Sequence, residues 1–311
     1  MRYGFGVDLG GTTVKLACFT EDGVLTEKWE IPTVRDNGGK QILPDIARSV
    51  LDYAKNRQIP QSDILGIGIG VPGPVDADGT VNRCVNLGWG NLCVTRELSD
   101  LTGLTVRAGN DATVAALGEY WAGGGAGYDS MVMITLGTGV GGGVILSGKA
   151  VHGAHGAGGE IGHMTLCPEE TELCGCGKRG CAEQYCSATG MVRVAKRYLE
   201  NTDAPCSLRD KPGFSAKDVT DAAEAGDAAA YEIAEQVYNY MGMMIANVCC
   251  VINPRAVVLG GGVSRTGKPL LDRVTAYFQK YAFHGTADTV IALAKLGNDA
   301  GVYGAFRLLS D

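Results

Sequence analysis

Hydrophobic positions in this chain come in short runs broken by glycine, and the first run sets the theme. Tyr3 to Val7 is apolar, stops at Asp8-Leu9-Gly10-Gly11-Thr12-Thr13 and resumes as the β-rich Val14 to Phe19, which predicts strand, glycine turn, strand. Leu65-Gly66-Ile67-Gly68-Ile69-Gly70 alternates with period two and runs into Val71-Pro72-Gly73-Pro74-Val75, a strand followed by a loop. Asn110-Asp111 precedes Ala112 to Trp121, a run of good helix formers that Gly123-Gly124-Gly125 ends. Met131 to Thr135 then reads as a strand, Leu136 to Gly143 as a second glycine turn and Val144-Ile145-Leu146 as the return strand. The opening arrangement thus recurs about 125 residues further on, which predicts an internal duplication, two related lobes and a cleft between them. Downstream, Ile233, Val237, Met241, Met244 and Val248 recur at helical spacing, and the helix is expected to stop before Asn253-Pro254. Met241, Met243 and Met244 are read as core filling, and Ala256 to Leu259 as a buried strand ending in Gly260-Gly261-Gly262.

Composition changes this picture in three ways. A length of 311 residues fits two medium lobes, and 45% hydrophobic with 20% charged residues excludes a disordered or fibrous chain. Glycine, at 47 residues, is about twice its average usage while proline stands at 10, so the excess is read as close backbone approach rather than as linker. A net charge of −7 argues against a broad nucleic-acid or anionic-membrane surface, so any phosphate must be bound locally. The 11 cysteines, with no basic-then-apolar leader pattern in Met1 to Phe5, point to reduced thiols or metal ligation. No apolar stretch approaches the roughly 20 residues of a membrane span, and the expectation is a cytoplasmic protein without membrane or nucleic-acid partners.

Among the motifs, Gly143-Val144-Ile145-Leu146-Ser147-Gly148-Lys149 imitates a P-loop, but Ala150 stands where a hydroxyl is required. Gly137-Thr138-Gly139-Val140-Gly141-Gly142 satisfies a dinucleotide pattern, yet strand-like residues follow where that fold needs a helix. The two turns Asp8 to Thr13 and Leu136 to Gly139 carry more together, because glycine permits close approach while amides and threonine hydroxyls donate to phosphate oxygens. The plainer alternative is a pair of tight hairpins. Asp8 is a candidate ligand for Mg²⁺, directly or through water, or else a turn-stabilising side chain.

Cys174-Gly175-Cys176 and Cys181, with His163 upstream, supply three thiolates and an imidazole, a closed tetrahedral set that suits a structural Zn²⁺; four unconnected side chains or a redox pair are the alternatives. Cys18, Cys84, Cys93, Cys249 and Cys250 are read as buried small hydrophobes. Asn110-Asp111, Glu160 and Glu183 form a third group of the kind that fixes sugar hydroxyls. Asp111 reads either as a helix-capping acid or as a base whose ionised form the helix N-terminus favours.

Together, Asp8-Leu9-Gly10-Gly11-Thr12, Val71 to Val75, Asn110-Asp111, Leu136 to Gly143, Glu160-Ile161-Gly162-His163, Cys174 through Glu183 and Gly260-Gly261-Gly262 resemble the ROK family of repressors, open reading frames and sugar kinases, most closely its glucokinase branch. The resemblance spans nearly the whole chain. It implies an α/β, actin-like (ribonuclease H-like) duplicated two-lobe fold with an inserted structural zinc site, and ATP-dependent phosphorylation of a hexose at its 6-hydroxyl. It implies Asp111 as catalytic base, and Gly73, Asn86, Asn110, Asp111, Glu160, His163 and Glu183 as sugar contacts. ATP would meet Gly10, Gly11, Thr12, Thr13, Lys15, Thr138, Gly139, Gly261 and Gly262, with Mg²⁺ at Asp8 and zinc at His163, Cys174, Cys176 and Cys181. His163 would serve zinc and sugar through its two ring nitrogens. The lobes are expected at 1–111, completed by a C-terminal helix at 299–311, and at 112–298; a homodimer or homotetramer follows by family analogy.

One departure concerns the substrate: Asn86-Leu87-Gly88-Trp89-Gly90 stands where many relatives carry Asn-Leu-Pro-Gly-Trp. Glucose is the expected hexose, with N-acetylmannosamine, fructose or another hexose as alternatives. A sugar sensor without turnover is the alternative of another class, and Asp111 is what separates it from an enzyme. A DNA-binding repressor is disfavoured, since the first turn begins at Asp8 and no basic footprint accompanies it.

Overall fold

The computed structural model describes residues 1–82, 84 and 87–310, and its contacts divide the chain into two compact units, Met1–Gly127 with Gly143–Gly159 and Leu296–Asp311, and Tyr128–Gly142 with Glu160–Lys295. In the first unit, β1 (Tyr3–Leu9), β2 (Thr13–Thr20), β3 (Leu25–Pro32), β4 (Ile64–Val71) and, beyond the small hairpin of β5 (Thr80–Val81) and β6 (Leu92–Cys93), β7 (Val106–Asn110) form a sheet of order β3-β2-β1-β4-β7. The pairs around β2 are antiparallel, whereas β1-β4 and β4-β7 are parallel.

The alternation along β1 decides what each face meets. Phe5, Val7 and Leu9 point into a core with Ile46 and Val50 of α2 (Ile42–Asn56), which follows the single turn α1 (Asp36–Gly39), and with Val94 and Leu98 of α3 (Val94–Thr102). The opposite face is glycine. A Cβ on Gly6 would stand 2.1 Å from the Val302 carbonyl oxygen, and one on Gly68 would stand 1.7 Å from that of Ala305, so the C-terminal helix lies directly on the strands. Part of the glycine excess therefore serves helix-on-sheet packing and not a ligand.

That C-terminal helix, α10 (Ala300–Arg307), also packs on α4 (Asp111–Ala122), where a Cβ on Gly304 would come within 1.7 Å of the Val114 carbonyl oxygen. The division expected at Asp111 is corrected by this contact: α4 belongs to the first unit because glycines on both helices let their backbones touch.

The second sheet repeats the order of the first: β10 (Lys149–Ala150), β9 (Val140–Leu146), β8 (Ser130–Leu136), β11 (Ala256–Gly260) and β12 (Val290–Leu293), with β8-β11 and β11-β12 parallel. The P-loop look-alike is part of β9 followed by a two-residue hairpin, with Ser147 and Gly148 at φ 50° and 77°.

The second unit also carries α5 (Glu183–Cys186), α6 (Ala188–Glu200), α7 (Ala216–Glu224), α8 (Ala228–Ile252) and α9 (Lys268–Tyr281). Asp227 caps α8 by accepting from the Ala230 amide at 3.1 Å, and Asn253 ends it in the left-handed region just before Pro254. Met241 and Met244 are buried, as their spacing predicts, and Met243 is half-buried. Cys250 is exposed and Cys93 only partly buried, against expectation: Cys250 falls on the outer face of α8 and Cys93 ends the short β6. Among the described residues, no helix is long and apolar enough to cross a membrane.

Candidate active site and metal centre

The first unit carries one glycine corner and two carboxylates. The corner between β1 and β2 is closed by Gly10 N–H donating to the Thr13 carbonyl at 3.0 Å, and Thr33 braces it by donating its amide to Thr12 O and its hydroxyl to Gly10 O. A Cβ on Gly11 would meet nothing within 4 Å, so the protein itself does not demand glycine there, while a ligand held close to the backbone would. Asp8, one residue before the end of β1, falls on the glycine-lined face and rests on α10, where a Cβ on Gly301 would stand 2.5 Å from its carboxyl carbon. Burial raises its pKa, and Lys15, with Nζ 4.0 Å from Oδ2, opposes that shift. Lys15 Nζ also donates to the Asn298 carbonyl at 3.1 Å. A carboxylate with 24% of its side chain open to solvent is a hard oxygen donor suited to Mg²⁺ that keeps most of its waters.

Asp111 is the first residue of α4, and the capping role belongs to its neighbour. Asn110 accepts the Thr113 amide at 3.1 Å through its side chain and donates Nδ2 to the Gly73 carbonyl at 3.0 Å. The same Nδ2 reaches Asp111 Oδ1 at 3.0 Å, and the Ala112 amide donates to that oxygen at 2.8 Å, so the carboxylate is oriented from two sides. Gly73, at φ 95° two residues past the end of β4, presents its carbonyl to Asn110. The expected sugar contact Asn86 lies outside the described residues.

In the second unit, the ligand atoms of His163, Cys174, Cys176 and Cys181 all lie within 4.8 Å of one another. Cys176 and Cys181 Sγ are 3.6 Å apart, and His163 turns Nδ1 to Cys174 Sγ at 3.9 Å. A tight turn brings them together: the Cys174 amide donates to Lys178 O at 2.7 Å, and Gly177 donates back to Cys174 O at 2.8 Å. Burial pushes the Cys181 thiol up to about 12 and raises that of Cys174, whereas the Lys178 amide lowers that of the exposed Cys176. Three sulfurs with one imidazole, gathered this closely, fit Zn²⁺ with no position left for water, and a bound cation would hold the buried Cys174 and Cys181 thiols ionised. His163 Nε2 points the other way, 3.9 Å from Glu160 Oε2.

The loop that presents these cysteines is held by a buried ion cluster that sequence reading missed. Glu170, with 1% of its side chain exposed, receives Arg197 through Nη1 and Nη2 at 2.8 Å, stands 2.5 Å from Arg193 Nη2 and accepts the Tyr185 hydroxyl. Its carboxyl is held far below the usual range, chiefly by Arg197. No local pattern announces it, because the acid and the arginines are more than 20 residues apart.

The second glycine corner, between β8 and β9, is wedged by that same part of the chain. Glu183 Oε2 accepts the Val140 amide at 3.0 Å, Ala188 N–H donates to Gly137 O at 2.8 Å, and the Thr189 hydroxyl donates to Thr138 O at 2.6 Å. Gly137 N–H is spent on Gly139 O, so the amides this corner offers a ligand are those of Thr138 and Gly139. Thr138 lines a hollow of about 590 Å³ that shares Ala188, Ser215 and Ala216 with a neighbouring hollow of about 450 Å³. The latter reaches Gly262, where a Cβ would meet nothing within 4 Å. Gly261 differs: its φ of 86° and the Leu136 backbone 2.6 Å from a Cβ give it a structural reason to be glycine. Ser215, Lys217, Asp221 and Arg265, which also line these hollows, carry no motif of their own.

Comparison with known proteins gives these separate pieces a common origin. The ROK family model matches residues 4–311. A glucokinase of Halalkalibacterium halodurans is 44% identical over 97% of this chain and 93% of its own length, and one of Thermotoga maritima is 36% identical over 98% and 96%. A ROK family glucokinase from Streptomyces griseus, solved in complex with glucose and AMPPNP, superposes with a TM-score of 0.77 at 33% identity, covering 98% of each chain. The family model spans nearly the whole chain and the relatives match over almost their full length, and the repeated sheet order agrees, so the chain belongs to the ROK family and has its actin-like, two-lobe fold.

Proposed function

We propose that this chain transfers the γ-phosphoryl group of ATP to the 6-hydroxyl of a hexose, glucose first, yielding glucose 6-phosphate and ADP. The observation that carries the reading is the way Asp111 is held: two donors fix Oδ1, and the positive end of the α4 dipole favours the ionised carboxylate. A carboxylate so oriented takes the proton of the attacking hydroxyl as the sugar oxygen bonds to the γ-phosphorus and the bond to the bridging oxygen of ADP breaks. Phosphoryl transfer asks for little else than positioning and charge compensation. The relatives named as glucokinases, one of them solved with glucose and AMPPNP, support glucose and ATP as the substrates.

The first unit contributes Gly73, Asn86 and Asn110 to the sugar, Gly10 to Thr13 and Lys15 to the phosphates, and Asp8 to Mg²⁺. The cation supplies neutralisation of phosphate charge, and Asp8 would hold it directly or through water. From the second unit, Glu160, His163 and Glu183 bind sugar hydroxyls, Thr138 and Gly139 donate to the phosphates, and Gly261 and Gly262 flank the adenosine. Zinc at His163, Cys174, Cys176 and Cys181 shapes that loop and takes no part in the chemistry. By family analogy the protein is a cytoplasmic homodimer or homotetramer.

The test is ADP release across a panel of hexoses and N-acetylhexosamines, on the wild type and on Asp111→Asn. Glucose should be the best acceptor, and the variant should lose about 10²–10⁴-fold in turnover with sugar affinity retained. Near-normal turnover of Asp111→Asn removes the base assignment, and a better acceptor in the panel replaces glucose.

A further inference from the structure

Three glycines lie at or beside the second corner, and they are glycine for different reasons. A Cβ on Gly137 would meet nothing within 4 Å, whereas one on Gly139 would stand 2.2 Å from Glu183 Oε2 and 3.1 Å from its carboxyl carbon. Gly139 is not in the left-handed region, so its backbone would accept any residue, and the carboxylate is what excludes a side chain. The next residue, Val140, is closely approached at both its amide and its carbonyl. Glu183 takes the Val140 amide at 3.0 Å, and a Cβ on Gly162, within the Glu160 to His163 segment, would stand 2.2 Å from the Val140 carbonyl oxygen.

We propose that Gly139 is a positioning residue that seats the Glu183 carboxylate, so that the corner presenting Thr138 also sets where Glu183 lies for the hexose. The inference rests on the reading of Glu183 as a sugar contact and departs from that of Gly139 as a residue kept small for ATP. Without a Cβ at 139, Glu183 accepts the Val140 N–H through Oε2 while Oε1 accepts from Cys174 Sγ at 3.6 Å. With one, the carboxylate swings out of its seat, the Val140 amide loses its acceptor and the sugar loses an aligned partner. Ser187 and Thr189 are tied to the same corner, so relaxation of the backbone toward the added methyl would cost their bonds in turn.

A double-mutant cycle on the full chain tests this, with Gly139→Ala, Glu183→Ala and the pair, reading glucose affinity by titration calorimetry, ATP affinity and thermal midpoint. Gly139→Ala should weaken glucose about tenfold or more and ATP no more than about threefold, and in the Glu183→Ala background it should change neither glucose affinity nor the midpoint further. If Gly139→Ala alone fails to fold, the pair should fold, since removing the carboxylate removes the clash. Additive effects, an unfolded pair, or a larger loss for ATP than for glucose would overturn the seating. A coupled midpoint with glucose affinity unchanged in Glu183→Ala would instead keep the seat and overturn Glu183 as a sugar contact.

Discussion

The two glycine corners are written in similar words and supported in different ways. At the first, the bracing comes from the hairpin itself and the adjoining Thr33, and the neighbouring carboxylate, Asp8, belongs to the corner's own strand. At the second, the carboxylate is Glu183, 43 residues on in the chain, and Ala188 and Thr189 supply the donors. A duplicated turn is thus self-sufficient in one copy and, in the other, dependent on the segment that follows the Cys/His loop. The contrast predicts that damage to the first corner is local and chemical, whereas damage to the second arrives through the scaffold.

Of the changes that test this contrast between the corners, the largest effect is expected at Asp8. Asp8→Asn should reduce turnover by about 10²–10³-fold and raise the Mg²⁺ concentration required, measured by steady-state assays across a magnesium series. Its stability should move the other way. Burial raises the folded pKa of Asp8, so the ionised carboxylate destabilises the fold above that pKa, and near neutral pH the variant should melt higher than the wild type. Below the ordinary value of 3.8 both are neutral and the difference should vanish. A variant that melts lower at neutral pH, or turns over normally, would mean Asp8 only stabilises its turn.

Next in size is Arg197→Met, which withdraws the main partner of the buried Glu170 and should cost about 2–4 kcal/mol, read by denaturant unfolding. Because the folded pKa of Glu170 is depressed, this loss should be full above its ordinary value of 4.5 and fade as pH falls through the folded value. A loss independent of pH would locate the effect in packing rather than charge. Activity per folded molecule should keep its Mg²⁺ dependence, since the first corner is untouched.

Smaller again is Cys176→Ser, which should lower bound zinc and raise the glucose KM by about tenfold through displacement of Glu183, while the Mg²⁺ requirement stays as in the wild type. Full zinc occupancy with unchanged kinetics would sever the metal loop from the second corner and erase the contrast between the two.

Much of this was legible in the sequence. The strand–turn–strand words, the start of α4 beside Asn110-Asp111 and the stop of α8 before Pro254 are written within about ten residues each, the range over which periodicity and capping act. The three cysteines and His163 were legible because a metal demands a fixed donor set whatever the fold around it. The boundary at Asp111 was not, since whether α4 joins the first unit depends on Gly118 of α4 and Gly304 of α10 meeting across nearly two hundred residues. The glycine excess announced close backbone approach but not its partner: composition counts glycines and does not say whether a helix, a carboxylate or a ligand lies against each one.

The sequence by itself determined the element types, the repeated corners, the donor set and the candidate base, since each is a matter of residue chemistry and short-range spacing. Only the tertiary structure decided which partner each group meets: Gly301 beneath Asp8, Glu183 in the space left by Gly139, the arginines on Glu170, and the two neighbouring hollows that reach Thr138 and Gly262. Those are excluded-volume and hydrogen-bond relations between segments far apart in the chain, and they come into being only when packing brings the segments together.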